Sequence, residues 1–301
     1  MQSYLDKEHV VTFTLHSRAL LMEMIGTFLL CYFSLMVPGN VGSSNGSVYS
    51  VVIIAVSLSY GYAHLIGKHI SGGLYNPAVT LAMSLTGRMP AITAAIYIFF
   101  QFLGGALGGF LTLYIFDDSK KNVLLARQAT FYLDSRNVGV YFGQALTVEI
   151  VGTLMLVLVF LRTRSAKQED TTVCAAAVGL TQLFIATGGW FLTGWGNNPA
   201  RIFGITFVSN TVTNPDFWVY YLGPFIAAIL GWYFDRYLLA ESHGEFASDL
   251  KKLGGWFGSS EKAAPAGAFE DAPAPPVVAQ DPPKEVQPER PADLVHESQL
   301  S

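Results

Sequence analysis

From residue 19 to about residue 240 the chain alternates long apolar runs with short polar joints. Six runs, roughly 19–36, 49–67, 91–116, 141–161, 172–192 and 217–239, reach or approach the length a helix needs to cross the hydrocarbon core, about 20 mostly apolar residues. Two more, 76–87 and 198–209, are only about a dozen residues long, too short to span yet too apolar for ordinary loops. Such segments read as half-helices that enter the membrane and turn back, which is tolerated only where the freed backbone is buried in protein or lines a water-filled path. The predicted fold is an all-α membrane protein with six transmembrane helices and two re-entrant half-helices.

An internal repeat organises these elements. Residues 23–27 read "EMIGT" and residues 149–153 read "EIVGT", each opening the first helix of three. The short segments begin "NPAV" at 76–79 and "NPAR" at 198–201. Small residues four apart mark the third helix of each half: Gly104 and Gly108, then Gly223, Ala227 and Gly231. The glutamates are 126 positions apart and the Asn-Pro pairs 122, so the halves match to within a few loop residues. Three spans per half is odd, so the second copy enters from the opposite side. In such an inverted repeat the two half-helices meet near the bilayer midplane. The predicted domains are an N-terminal segment 1–18, a channel domain 19–240 (repeats about 19–116 and 141–240), and a tail 241–301.

Charge adds an orientation. The connection 162–171 carries Arg162, Arg164 and Lys167, and Lys251 and Lys252 follow the last helix, whereas the 37–48 loop has no charge. The positive-inside rule then puts both termini in the cytoplasm, with the plasma membrane as the expected location. The 117–140 loop, with four basic residues against three aspartates, runs against that assignment. The tail, rich in Pro, Ala and acid with little to bury, reads as disordered and available to cytoplasmic partners. Overall the chain is 51% hydrophobic and 13% charged, about half the charge of a soluble domain. Its two cysteines, Cys31 and Cys174, sit in apolar runs outside any disulfide or metal pattern. Nothing calls for a metal, a cofactor, catalysis or nucleic acid.

The two Asn-Pro-Ala triplets, Asn76-Pro77-Ala78 and Asn198-Pro199-Ala200, carry the chemistry. Asn is among the best N-cap residues, and Pro suits the first helical position because its missing N–H would be unpaired anyway. Two helix starts facing each other bring two positive dipole ends together with amide donors beside them. That arrangement repels cations and accepts lone pairs from a small neutral solute.

With "HISGGLYNPAVT", "TGWGNNPAR" and both E-x-x-G-T helices in place, the chain resembles the aquaporin (major intrinsic protein) family over residues 19 to about 240. The resemblance implies a homotetramer embedded in lipid, each subunit with its own pore for water and small neutral solutes. It places Arg201 in the pore, where its donors orient a solute and its charge opposes cations. Such a buried charge is costly in lipid and normally lines a water-filled path. Glu23 and Glu149 are implied to accept hydrogen bonds from the backbone entering each half-helix. Counting from the triplets, the family's four filter positions fall on Val56, Ala186, Trp195 and Arg201. The ring departs from the water-selective pattern, which has Phe and His first and a small third residue. It departs equally from the glycerol pattern of two aromatics and a glycine. Ile202 stands where glycerol facilitators carry Asp, and Tyr220-Tyr221 replace their Pro-Leu pair, both closer to water channels. Glycerol, urea, ammonia and hydrogen peroxide stay open as solutes.

Minor signals complete the reading. Asn45-Gly46-Ser47 is a glycosylation sequon in a loop expected outside. Ser165 follows "RTR", a context for phosphorylation, and His69 sits near the first half-helix, where loop packing is the default over pH sensing. No cysteine is expected near the filter. Two rivals remain: a coupled transporter, which would need an ion-binding cluster of acids or unwound carbonyls, and a structural junction protein of low or gated permeability, with Trp195 as its plug.

Overall fold

A computed structural model describes residues 17–41, 46–116, 140–163, 171–209 and 217–239. They form α1 (Ser17–Val41), α2 (Gly46–Ser71), α3 (Pro77–Leu85), α4 (Ala91–Ile115), α5 (Phe142–Thr163), α6 (Thr171–Thr193), α7 (Pro199–Ser209) and α8 (Val219–Tyr237). Six long helices and two short ones thus follow in the predicted order. The hydrophobic run underestimates α1, which continues to Val41, so the joint before α2 is shorter than predicted. Asn45, Ser165, Lys251, Lys252 and the tail lie outside the described residues.

Among the described residues, α1, α4, α5 and α6 are long and apolar enough to cross a membrane on composition alone. The fold adds α2 and α8 to that set. α8 carries Asp235, Arg236 and four tyrosines, and α2 carries His64, Lys68 and His69 near its end. Polarity is turned inside out relative to a soluble protein. Ile92, Phe99, Leu180 and Phe184 are exposed by 64–70%, while Glu23, Asn198, Arg201 and Glu149 are fully buried. An apolar exterior around a polar interior is what a lipid solvent selects.

The helices pack through glycine. α4 meets α1 along Gly104 and Gly108 and α7 along Gly105 and Gly109, so one four-glycine stretch seats two partners. A methyl group on Gly105 would collide with the carbonyl oxygen of Ala200, the last residue of the second triplet. Backbone cannot give way as a flexible side chain can, and overpacking a tight site costs about 1–3 kcal/mol even in forgiving cases. Gly105→Val is therefore expected to displace α7 and lower the melting temperature of the purified protein, while Gly143→Val, where the added carbon meets nothing, leaves it unchanged. At the far end of α8, Asp235 pairs with Arg88 of the α3–α4 turn at 3.0 Å, both partly buried.

Candidate functional site

The two short helices begin where their sequences say they should. Asn76 caps α3 from extended backbone (φ −149°), its Oδ1 accepting from the Ala78 N–H at 2.9 Å, with Pro77 in the first helical turn. Asn198 caps α7 in the same way, accepting from the Ala200 N–H at 3.0 Å. Each asparagine then donates across the junction. Asn76 Nδ2 bonds the Asn197 carbonyl at 2.8 Å, and Asn198 Nδ2 bonds the Tyr75 carbonyl at 2.9 Å. These crossed bonds hold the two helix N-termini together. An amide nitrogen has two hydrogens, so each side chain keeps one donor beyond its crossed bond.

The turns that make the junction are held by the two glutamates. Glu23 accepts from the Leu74 and Tyr75 N–H groups (3.0 and 2.8 Å), the Ser71 hydroxyl (2.6 Å) and the Gln101 amide (2.7 Å). Glu149 accepts from the Gly196 and Asn197 N–H groups (3.0 and 2.7 Å) and the Thr193 hydroxyl (2.7 Å). With its amide turned to suit both neighbours, Asn197 also donates to Glu149 (3.1 Å) and accepts from the Trp195 indole N–H (3.3 Å). Buried N–H groups in a non-helical turn have no ladder to join, and the carboxylates supply acceptors in its place.

The repeat extends to backbone conformation. Tyr75 (φ 50°) and its counterpart Asn197 (φ 46°) are both left-handed, as are Gly73 (φ 62°) and its counterpart Trp195 (φ 61°). A glycine adopts that region freely, whereas a bulky residue there is an outlier. Trp195 therefore occupies a glycine's conformation.

Of the four counted filter positions, Trp195 and Arg201 are in direct contact, and Val56 on α2, Ala186 on α6 and Trp195 belong to the same large buried core as Tyr60. Arg201 lies in the first turn of α7. Its Nη1 donates to the Trp195 carbonyl at 2.9 Å, its Nε donates to Ser34 Oγ at 3.2 Å, and its guanidinium lies 4.9 Å from the Trp195 ring centre. The ring also meets Tyr60 edge-on at 5.2 Å. Ser34, Ser71, Thr193 and Gln101 were not singled out from sequence. Ser71 and Thr193 are 122 apart, the triplet spacing, so the repeat could have found them. Ser34 and Gln101 leave no such trace.

Three other placements follow. Cys31, buried on α1, accepts through its carbonyl from the Ser34 hydroxyl, and its side chain packs towards Gly108 of α4. His69 is bonded to the Thr171 hydroxyl, a packing contact. Tyr220 is fully buried against Thr193, while its neighbour Tyr221 packs edge-on against Phe217.

A family model described as "Major intrinsic protein" matches residues 10–234. The chain belongs to the major intrinsic protein family. Among its relatives, "Aquaporin-1" of Rattus norvegicus is 33% identical over 211 residues, 66% of this chain and 72% of that one. "Aquaporin-2" of Homo sapiens is 31% identical over 243 residues, covering 79% and 85%. "Probable aquaporin-3" of Gibberella zeae is 29% identical over 238 residues, covering 74% and 78%. The fold matches a solved aquaglyceroporin from Plasmodium falciparum at a TM-score of 0.65 and 23% identity, over 74% of this chain and 96% of the other. The chain is a membrane channel of this family, conducting water and small solutes passively.

Proposed function

We propose that this aquaporin conducts chiefly water, in single file past the ring of Val56, Ala186, Trp195 and Arg201 and then past Asn76 and Asn198. One observation carries the reading: Arg201 is held by a carbonyl, a hydroxyl and an indole ring directly beside the crossed asparagines. A fixed guanidinium and two helix N-termini oppose cations, while the spare amide N–H groups donate to the lone pairs of a neutral molecule. Glu23 and Glu149 act as structural supports, since each is occupied by hydrogen bonds to the turn it holds.

The uncharged joint before α2 and the basic residues at 162–171 support both termini lying in the cytoplasm; the plasma membrane is the expected location, with the Asn45 sequon on its outer side. The family supports a homotetramer, and the 241–301 tail is left for cytoplasmic partners.

Stopped-flow shrinkage of proteoliposomes tests the reading, comparing a sucrose gradient with a glycerol gradient. Fast shrinkage in both, without glycerol re-swelling, is expected. Re-swelling would show a wider filter than proposed.

A second reading, low or gated permeability, is favoured by one feature. Val56, Ala186 and Arg201 have no surface accessible to water and Trp195 has 1%. This reading takes the four buried side chains as a closed ring, with Trp195, the bulkiest of them, as its plug. Shrinkage no faster than bare lipid would support this reading.

A further inference from the structure

Two buried polar side chains, each one helical turn from a counted filter position, are not used by the scheme above. On α6, Cys174 and Gly189 on one side of Gln182 meet α5, through the Thr163 carbonyl and Val148, while Ala175 and the half-buried Gly179 on its other side meet Gly61 of α2. Gln182 stands between these contacts, one turn from Ala186, and is fully buried. Neither its amide nitrogen nor its amide oxygen has a hydrogen-bond partner among the described residues. On α2, Tyr60 holds the matching place, one turn from Val56, with its ring against Trp195. Its hydroxyl faces the Asn198 side chain but is likewise without a partner of hydrogen-bond geometry.

A buried amide with both ends unpaired is uncommon, because each unpaired group carries its full desolvation cost. The cost is relieved if a passing molecule supplies the missing bonds. An amide offers a donor and an acceptor, and a phenol offers either, which matches a hydroxyl group on both counts. An apolar residue at either place would offer a permeant nothing.

We infer that Gln182 and Tyr60 form a hydrogen-bonding station for the permeating molecule, one turn beyond the ring, suited to a small hydroxylated solute. The inference rests on the channel reading above. A water molecule in file brings its own partners, whereas a hydroxylated solute sheds its shell at the ring and gains from fixed ones. The station therefore favours the solute relative to water.

The test uses full-length protein in vesicles with hydrogen peroxide as the probe, its entry read by an enclosed peroxide-sensitive dye and water flow by stopped-flow shrinkage. Gln182→Met, which keeps length and removes both polar atoms, is expected to lower the peroxide-to-water ratio between about twofold and tenfold, the range of one ordinary hydrogen bond. Its melting temperature should equal or exceed that of the wild type, since no bond within the protein is lost. Tyr60→Phe should shift the ratio in the same direction. An unchanged ratio in both variants, with water flow intact, overturns the station alone. A Gln182→Met protein that melts below wild type marks the amide as structural and also overturns it. Wild-type vesicles no more permeable than lipid to either molecule overturn the channel reading and the station together.

Discussion

Glu149→Leu is expected to yield no assembled channel. The carboxylate is the acceptor for the Gly196 and Asn197 N–H groups and for the Thr193 hydroxyl, all buried. Leucine fills a similar volume and accepts nothing. Each buried donor left unpaired costs about 1–3 kcal/mol. Three together reach the scale of a domain's whole stability, about 5–15 kcal/mol. Detergent extraction followed by size-exclusion chromatography should show aggregate in place of the wild-type peak. Glu149→Gln should be milder but still damaged, because its NH2 end must face an N–H donor whichever way the amide turns. A monodisperse Glu149→Leu peak with an unchanged melting temperature would mean that the turn does not depend on this carboxylate.

The same contacts explain what could and could not be read in advance. Helix order, the two half-helices and the inverted repeat all follow from apolar run lengths and from two motifs recurring 122 and 126 residues apart. Those properties are local, or repeat, and so survive in one dimension. The triplets could be placed at helix starts because Asn and Pro act on their own backbone. Ser34 is different. It reaches Arg201 across 167 positions, and a serine in an apolar helix carries no mark of that partner. Gln101 is similar: it reaches both Glu23 and Thr80, yet the second half places Gly223 at the triplet spacing, so the repeat gives no hint. In the second half Asn197 takes over the work of a side-chain donor to the glutamate. Cys31 is buried because α1 turns that face inward, which a largely apolar run does not reveal.

Trp195 joins backbone and selectivity in one residue, and its replacement by Gly should change both. At φ 61° the tryptophan sits where its repeat partner is Gly73, and a non-glycine residue held there costs about 1–3 kcal/mol. Removing the ring also ends its contacts with Arg201 and Tyr60 and opens the space in front of the guanidinium. The Arg201 bond to the residue 195 carbonyl uses main chain only, so the charge that opposes cations stays in place. Trp195→Gly should therefore admit glycerol while still excluding ions. A pocket wall that accepts or rejects a single methylene discriminates by about 10- to 200-fold, and a gain in glycerol-to-water ratio on that scale is expected. Trp195→Ala separates the two effects. It opens the same space but keeps the strained backbone, so it should match the glycine variant in solute range and melt at a lower temperature. Glycine is normally the less stable choice of the two, through its greater chain entropy, so a reversed order can come only from the left-handed conformation. An unchanged glycerol-to-water ratio in both variants would remove Trp195 from the filter. A glycine variant less stable than alanine would show that the backbone at 195 is not held as described.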